Sequence, residues 1–98
     1  MSYCSGQTSV NEWKSGSGTA TGTPAKLSAV GIKVLRHVVI KAHVDNDGDV
    51  LIAHDSKSAA AGYALSGGET SAPIPIDDLS KIWVVASATT QDFSWFAV

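Results

Sequence analysis

The sequence predicts an all-β domain, a small antiparallel β-sandwich or barrel of jelly-roll-like type, with an extended N-terminal arm. Three observations lead there. Apolar residues after the arm recur with a period of two, the mark of half-buried strands. Turn-forming clusters separate these segments at spacings of roughly 8 to 12 residues, as in sandwiches and barrels. No stretch keeps a helical period long enough for more than about two turns. At 98 residues the chain suits one hydrophobic core and is short for two ordinary domains.

Met1 to about Gly22 is rich in Ser, Gly and Thr, with Tyr3, Val10 and Trp13 as its large apolar groups. That is little apolar surface to offset the entropy of ordering a chain, so this segment reads as an arm that a partner pins down. The β-domain proper is then expected over 23–98. Overlapping its start, TATGTPAKLSA is a weaker candidate for the first strand, with Pro24 as a bend. In VLRHVVIKAHV the even positions Val34, Val38, Ile40, Ala42 and Val44 are apolar and Arg36 interrupts them. DNDG then supplies a tight turn, and VLIAH is expected to return as the antiparallel hairpin partner. DSKSAAAGYALSGGE reads as a loop with one short helical turn at its alanines. TSAPIPI alternates, and its two prolines, which cannot donate ladder hydrogen bonds, mark an edge strand. DDLSKIWVVAS and QDFSWFAV are the last two strands, joined by a polar turn near Thr89 and Thr90.

Composition narrows the function. The net charge of -2 and seven scattered basic residues argue against a nucleic-acid partner, which needs clustered cations to release counterions. No apolar run is long enough to span a membrane, so no membrane partner is expected. The start MSYCSGQTSV lacks the basic and apolar regions of a signal peptide. Cys4 is the single cysteine, which leaves no intrachain disulfide and reads as an exposed thiol. Only 16% of residues are charged, below the roughly 25% usual for globular domains, which leaves surface for a partner to cover.

Candidate chemistry is sparse. Asp45, Asn46, Asp47, Gly48 and Asp49 resemble a calcium loop at first sight, but Gly48 is fourth and Ser56 twelfth, where an EF-hand needs Gly sixth and Glu twelfth. In the expected hairpin, His43 lies opposite Ile52 and Lys41 opposite His54, making His43 and His54 diagonal neighbours. Two imidazoles fall short of a zinc site, and His37 is too distant to be a third ligand. There is no G-x-S-x-G elbow. Asp77 and Asp78 are adjacent, so they point to opposite faces of a strand and suit a turn cap better than paired-carboxylate catalysis. The sequence therefore assigns no catalytic residue, no cofactor and no metal, and the chain is expected not to be an enzyme.

The aromatic residues point elsewhere. Trp83 alternates with Ile82 and Val84, and Phe96 with Phe93 and Trp95, so both last strands carry large apolar groups on two faces. One face suits the core; the other is expected to meet a loop, the arm or another subunit. The expected contact residues are Tyr3 and Trp13 in the arm and Trp83 and Trp95 on the outward side of the sheet.

Residues 23–98 resemble small β-domain structural proteins of tailed-bacteriophage virions, used as head decoration or cement proteins, neck parts and fibre-attachment domains. The matching words are TPAKLSA, VVIKAHVDNDGDVLIAHDS, GYALSGGETSAPIPIDDLSKIWVVAS and the aromatic DFSWFAV. A first strand ends in TP-x-x-LS, a hairpin turns at N-x-G, and a Gly-Gly-Glu turn leads to a strand closed by DLSKIWV. The family commonly has a glycine after the second hairpin strand, where this chain has His54 before Asp55. The resemblance implies a virion location after synthesis in the host cytoplasm. It also implies a homo-oligomer, a trimer being favoured, with the major capsid protein or other virion proteins as partners. The function it favours is stabilising the head by bridging capsid subunits; the alternative is a glycan or receptor-binding β-module of a tail fibre or neck.

Overall fold

The computed structural model describes residues 13–28, 31–57 and 59–98, apart from the side chain of Ala60. Its strands are β1 (Lys14–Ala20), β2 (Ala25–Lys26), β3 (His37–Ala42), β4 (Val50–Ala53), β5 (Tyr63–Leu65), β6 (Ile74–Pro75), β7 (Trp83–Ala86) and β8 (Gln91–Ala97). They form two four-stranded sheets in the orders β1-β8-β3-β6 and β2-β7-β4-β5, and every ladder is antiparallel. Each step along the chain crosses from one sheet to the other except β4 to β5. That is the jelly-roll path, and because neither sheet closes on itself the architecture is a sandwich rather than a barrel.

Period-two alternation decides which side chains fill the space between the sheets. Val38, Ile40 and Ala42 from β3 and Phe93, Trp95 and Ala97 from β8 face Val50, Ile52, Leu65, Val84 and Ala86 from the other sheet. Burying each of the larger aliphatic groups contributes about 1.5–3 kcal/mol. β8 shows the pattern most clearly, since its residues are alternately buried and exposed from Gln91 to Ala97. The expected edge strand is also present: β6 contains Pro75 and lies at the end of its sheet. Beyond it, Ser71 continues the ladder, its N–H donating to Ile40 O (2.7 Å) and its hydroxyl accepting from the Ile40 N–H (2.9 Å).

The expected β3–β4 hairpin does not form. β3 pairs with β8 and β6, and β4 with β7 and β5, so DNDG carries the chain between sheets. Side chains rather than a ladder hold it there. Asn46 Nδ2 donates to Asp92 O (2.8 Å) and its Oδ1 accepts from the Asp92 N–H (3.0 Å). Gln91, fully buried, accepts from the Gly48 N–H (3.0 Å) and donates to Asp47 Oδ1 (2.8 Å). A two-residue turn and a sheet-to-sheet crossing draw on the same Asn, Asp and Gly residues, which is why local composition did not separate them.

The arm boundary is also corrected. Residues 14–20 pair along their whole length with β8, from Lys14 opposite Ala97 to Ala20 opposite Gln91, while residues 1–12 of the expected arm lie outside the described residues. The sheet therefore begins within the segment assigned to the arm, and the β-domain starts before residue 23; of the candidate first strand TATGTPAKLSA, Thr19 and Ala20 end β1 and Ala25 and Lys26 form β2. Gly16 and Gly18 made the earlier part of β1 look like a linker. Their missing side chains are filled by Trp95 and Phe93, as the register partners Gly16–Trp95 and Gly18–Phe93 show. β5, read from sequence as loop, is a three-residue strand against β4. The short helical turn expected at the alanines is a 3-10 turn at Ala59–Ala61.

Asp78 caps a second 3-10 turn, Leu79–Lys81. Its Oδ1 accepts from the Ser80 N–H (2.9 Å) and from the Ile32 N–H (3.2 Å), so one carboxylate ties the approach to β7 to the approach to β3. Hydrogen bonding from Ser80 holds the Asp78 carboxyl below the ordinary aspartate range. Asp77 is held down by its 2.7 Å ion pair with Lys81, whose ammonium is pushed up in return.

Candidate interaction surface

β1 sits at one end of its sheet, so β8 covers one of its sides and, among the described residues, no strand pairs with the other. A strand edge that no neighbouring strand covers is a template for another strand, and proteins usually block such edges with charge, proline, bulges or shortness. The other three edges are short: β2 and β6 have two residues each and β5 has three. β1 is long, contains no proline, and reads Lys-Ser-Gly-Ser-Gly-Thr-Ala.

The outward face of the same sheet is arranged in rows by register. Ser15, Phe96 and Val39 form one row, and Ser17, Ser94 and Lys41 the next. Lys41 also bridges to Thr70. Together these residues line a shallow concavity of about 540 Å³. Phe96 is 42% exposed and Trp13, just before β1, is 58% exposed. Large apolar groups therefore remain uncovered beside the open edge. At the edge of the row at Thr19, the threonine hydroxyl donates to Asp92 Oδ1 (2.8 Å).

The opposite end of the sandwich has a different opening. Ile52, Tyr63, Pro73 and Ile74 line an apolar cleft of about 270 Å³ where β5 and β6 diverge, with the Tyr63 ring 61% exposed. The sequence reading placed Tyr63 in a loop and missed this cleft. Its signal was the Tyr-Ala-Leu run before the Gly-Gly turn, too short to show a period.

The four residues expected to make contacts separate. Trp13 is exposed beside the open edge, and Trp83 faces outward on the other sheet, half-buried. Tyr3 lies outside the described residues. Trp95 corrects the expectation: it is 8% exposed and packs in the core against Gly16. The parity of β8 puts Trp95 on the face of Phe93 and Ala97, leaving Phe96 as the outward aromatic of that strand. Part of the outward side of the other sheet is covered internally, since Val85 and Ala59 are both buried where the Ala59–Ala61 turn packs on β4 and β7.

The residues weighed for metal binding are also apart. His43 follows β3 and His54 follows β4, in different sheets, so they are not diagonal neighbours. His43 Nδ1 accepts from the Asp45 N–H (3.1 Å), and His54 pairs with Asp55 at 3.0 Å on the surface. Asp47 binds Gln91, and Asp49 accepts from the Ser66 hydroxyl (3.1 Å). Among the described residues no three His, Cys, Asp or Glu side chains come together at metal-ligand distance. No described helix is long and apolar enough to cross a membrane.

Comparison with family models, with curated proteins and with solved structures finds no match for this chain.

Proposed function

We propose that this chain is a structural protein of a bacteriophage virion, a capsid decoration or cement protein that stabilises the head by bridging capsid subunits. It acts by binding alone, as a homo-oligomer. The observation that carries the reading is the open β1 edge with Trp13 and Phe96 exposed beside it. A long edge with which no described strand pairs, next to exposed aromatic rings, suits a surface completed by other subunits. The virion words in residues 23–98 and the low charge support the same reading. Binding only the assembled shell shifts its stability by mass action, and many linked copies multiply a modest affinity.

The test is thermal disassembly of heads with the protein absent, present, or present as Trp13→Ala/Phe96→Ser. The wild-type chain raises the disassembly temperature and the double variant raises it less. Truncation at Thr23 is unsuitable, because it removes β1 from the sheet; deletion of residues 1–12 is the informative shortening. Equal disassembly temperatures in all samples refute the cement reading.

The concavity on the outward face favours one second reading, a glycan or receptor-binding module. Ser15, Ser17, Thr70, Ser94 and Lys41 line the concavity together with Phe96, polar residues beside an apolar platform on which a sugar ring can stack. Binding to a glycan array that is lost in Phe96→Ser, without any effect on heads, supports this reading over the first.

A further inference from the structure

We propose that β1 pairs with β1 of a second copy of this chain across a two-fold axis at Ser17, joining two four-stranded sheets into one of eight strands. The argument stands on the edge itself and goes beyond the virion reading. In an antiparallel pair, directly opposite residues share a face of the sheet. Centring the pair on Ser17 puts Ser17 opposite its own copy, Gly16 opposite Gly18, Ser15 opposite Thr19 and Lys14 opposite Ala20. The segment Ser15-Gly16-Ser17-Gly18-Thr19 is thus nearly symmetric about its centre, as an isologous contact requires. No two charges oppose each other, and hydroxyls meet hydroxyls on the outward face.

Other registers fit less well. A slip of one residue sets outward serines against inward glycines, and a slip of two leaves strand ends unpaired. The inward glycines also favour the centred register. Trp95 and Phe93 already fill the space over Gly16 and Gly18, so a neighbouring strand whose inward positions are glycines meets those rings without a clash. Pairing also brings each exposed Trp13 alongside residue 21 of the other copy, which shortens the uncovered apolar rim. The remaining edges do not offer this geometry, being two or three residues long.

Two seven-residue strands make a contact at the small end of protein interfaces, so the dimer is expected to dissociate between about 10 µM and about 1 mM. Sedimentation of the full chain across that range measures it. Ser17→Lys and Ser17→Glu each place like charges on the axis and are expected to weaken the dimer by about fivefold, while their equimolar mixture recovers wild-type affinity or better. Thermal unfolding checks that both variants remain folded. In a Cys4→Ser background, Ser17→Cys is expected to cross-link under oxidation whereas Ser15→Cys alone is not, because residue 15 faces residue 19. A full chain that remains monomeric throughout overturns the proposal, including the case in which deleting residues 1–12 releases dimers, for then the chain's own N-terminus fills the edge. A dimer indifferent to both Ser17 charges, or one cross-linked equally from either position, also overturns it.

Discussion

Gly16 lies directly opposite Trp95 across the β1–β8 pair, and a Cβ built on it would come within 2.6 Å of the Trp95 ring. Gly18 stands in the same relation to Phe93, at 2.7 Å. Aromatic rings that cover cross-strand glycines restore the packing the glycines lack. The pairings make a Gly-Ser segment into a strand and put the two largest buried rings of β8 beneath it.

Gly16→Ala and Gly18→Ala are therefore expected to destabilise the domain by about 1–3 kcal/mol each, since the rings must leave their rotamers to admit a methyl group. Gly22→Ala, where nothing lies within 4 Å, is expected to change stability little. Thermal unfolding of the three variants separates ring contact from general backbone effects.

Gln91 is the second sensitive point. Gln91→Leu leaves the Gly48 N–H and the Asp47 carboxylate without their partner, a loss of about 1–3 kcal/mol. Gln91→Glu replaces an amide donor with a carboxylate facing Asp47. Its defect is expected to be largest at neutral pH and to shrink on acidification, as protonation of the introduced carboxyl removes the repulsion and restores a donor. Urea unfolding at two pH values reads both effects.

Ser71→Ala removes the hydroxyl that accepts from the buried Ile40 N–H. An unpartnered buried donor costs about 1–3 kcal/mol. The amide of Ile40 is expected to exchange faster with deuterium in the variant, while amides of β4 and β7 slow or quicken only with global stability.

Asp77 and Asp78 both have folded-state pKa values below the ordinary aspartate value of 3.8. Depressed acids contribute stability above their unfolded pKa and lose it as pH falls through the folded value. Acid unfolding is thus expected to set in below about pH 4, and Asp78→Asn, whose amide oxygen still accepts from Ser80 and Ile32, is expected to flatten the dependence. Lys81 acts with the opposite sign. Its raised pKa gives stability below the ordinary lysine value of 10.5 that is lost as pH climbs through the folded value. Chemical denaturation across pH 2 to 11 checks both limbs.

The sequence by itself determined the class of fold and the inward residues of β3, because side chains alternate strictly along a strand and water excludes one set. Val38, Ile40 and Ala42 are buried as their spacing requires, the prolines mark an edge, and Asp78 caps its turn. Val44 breaks the series at 69% exposure, since β3 ends at Ala42 and alternation has no force beyond the ladder. Strand partners were a matter for the tertiary structure. DNDG fits a hairpin locally, yet Val50 and Ile52 face the sheet that holds Val38 and Ile40, and a direct hairpin would place all four in one layer with no second layer to bury them. The β1 edge was equally hidden. Gly16 and Gly18 carry no hydrophobic signal of their own, and only the rings of Trp95 and Phe93, almost eighty residues away in the chain, make their segment a strand and turn Phe96 rather than Trp95 toward the outside.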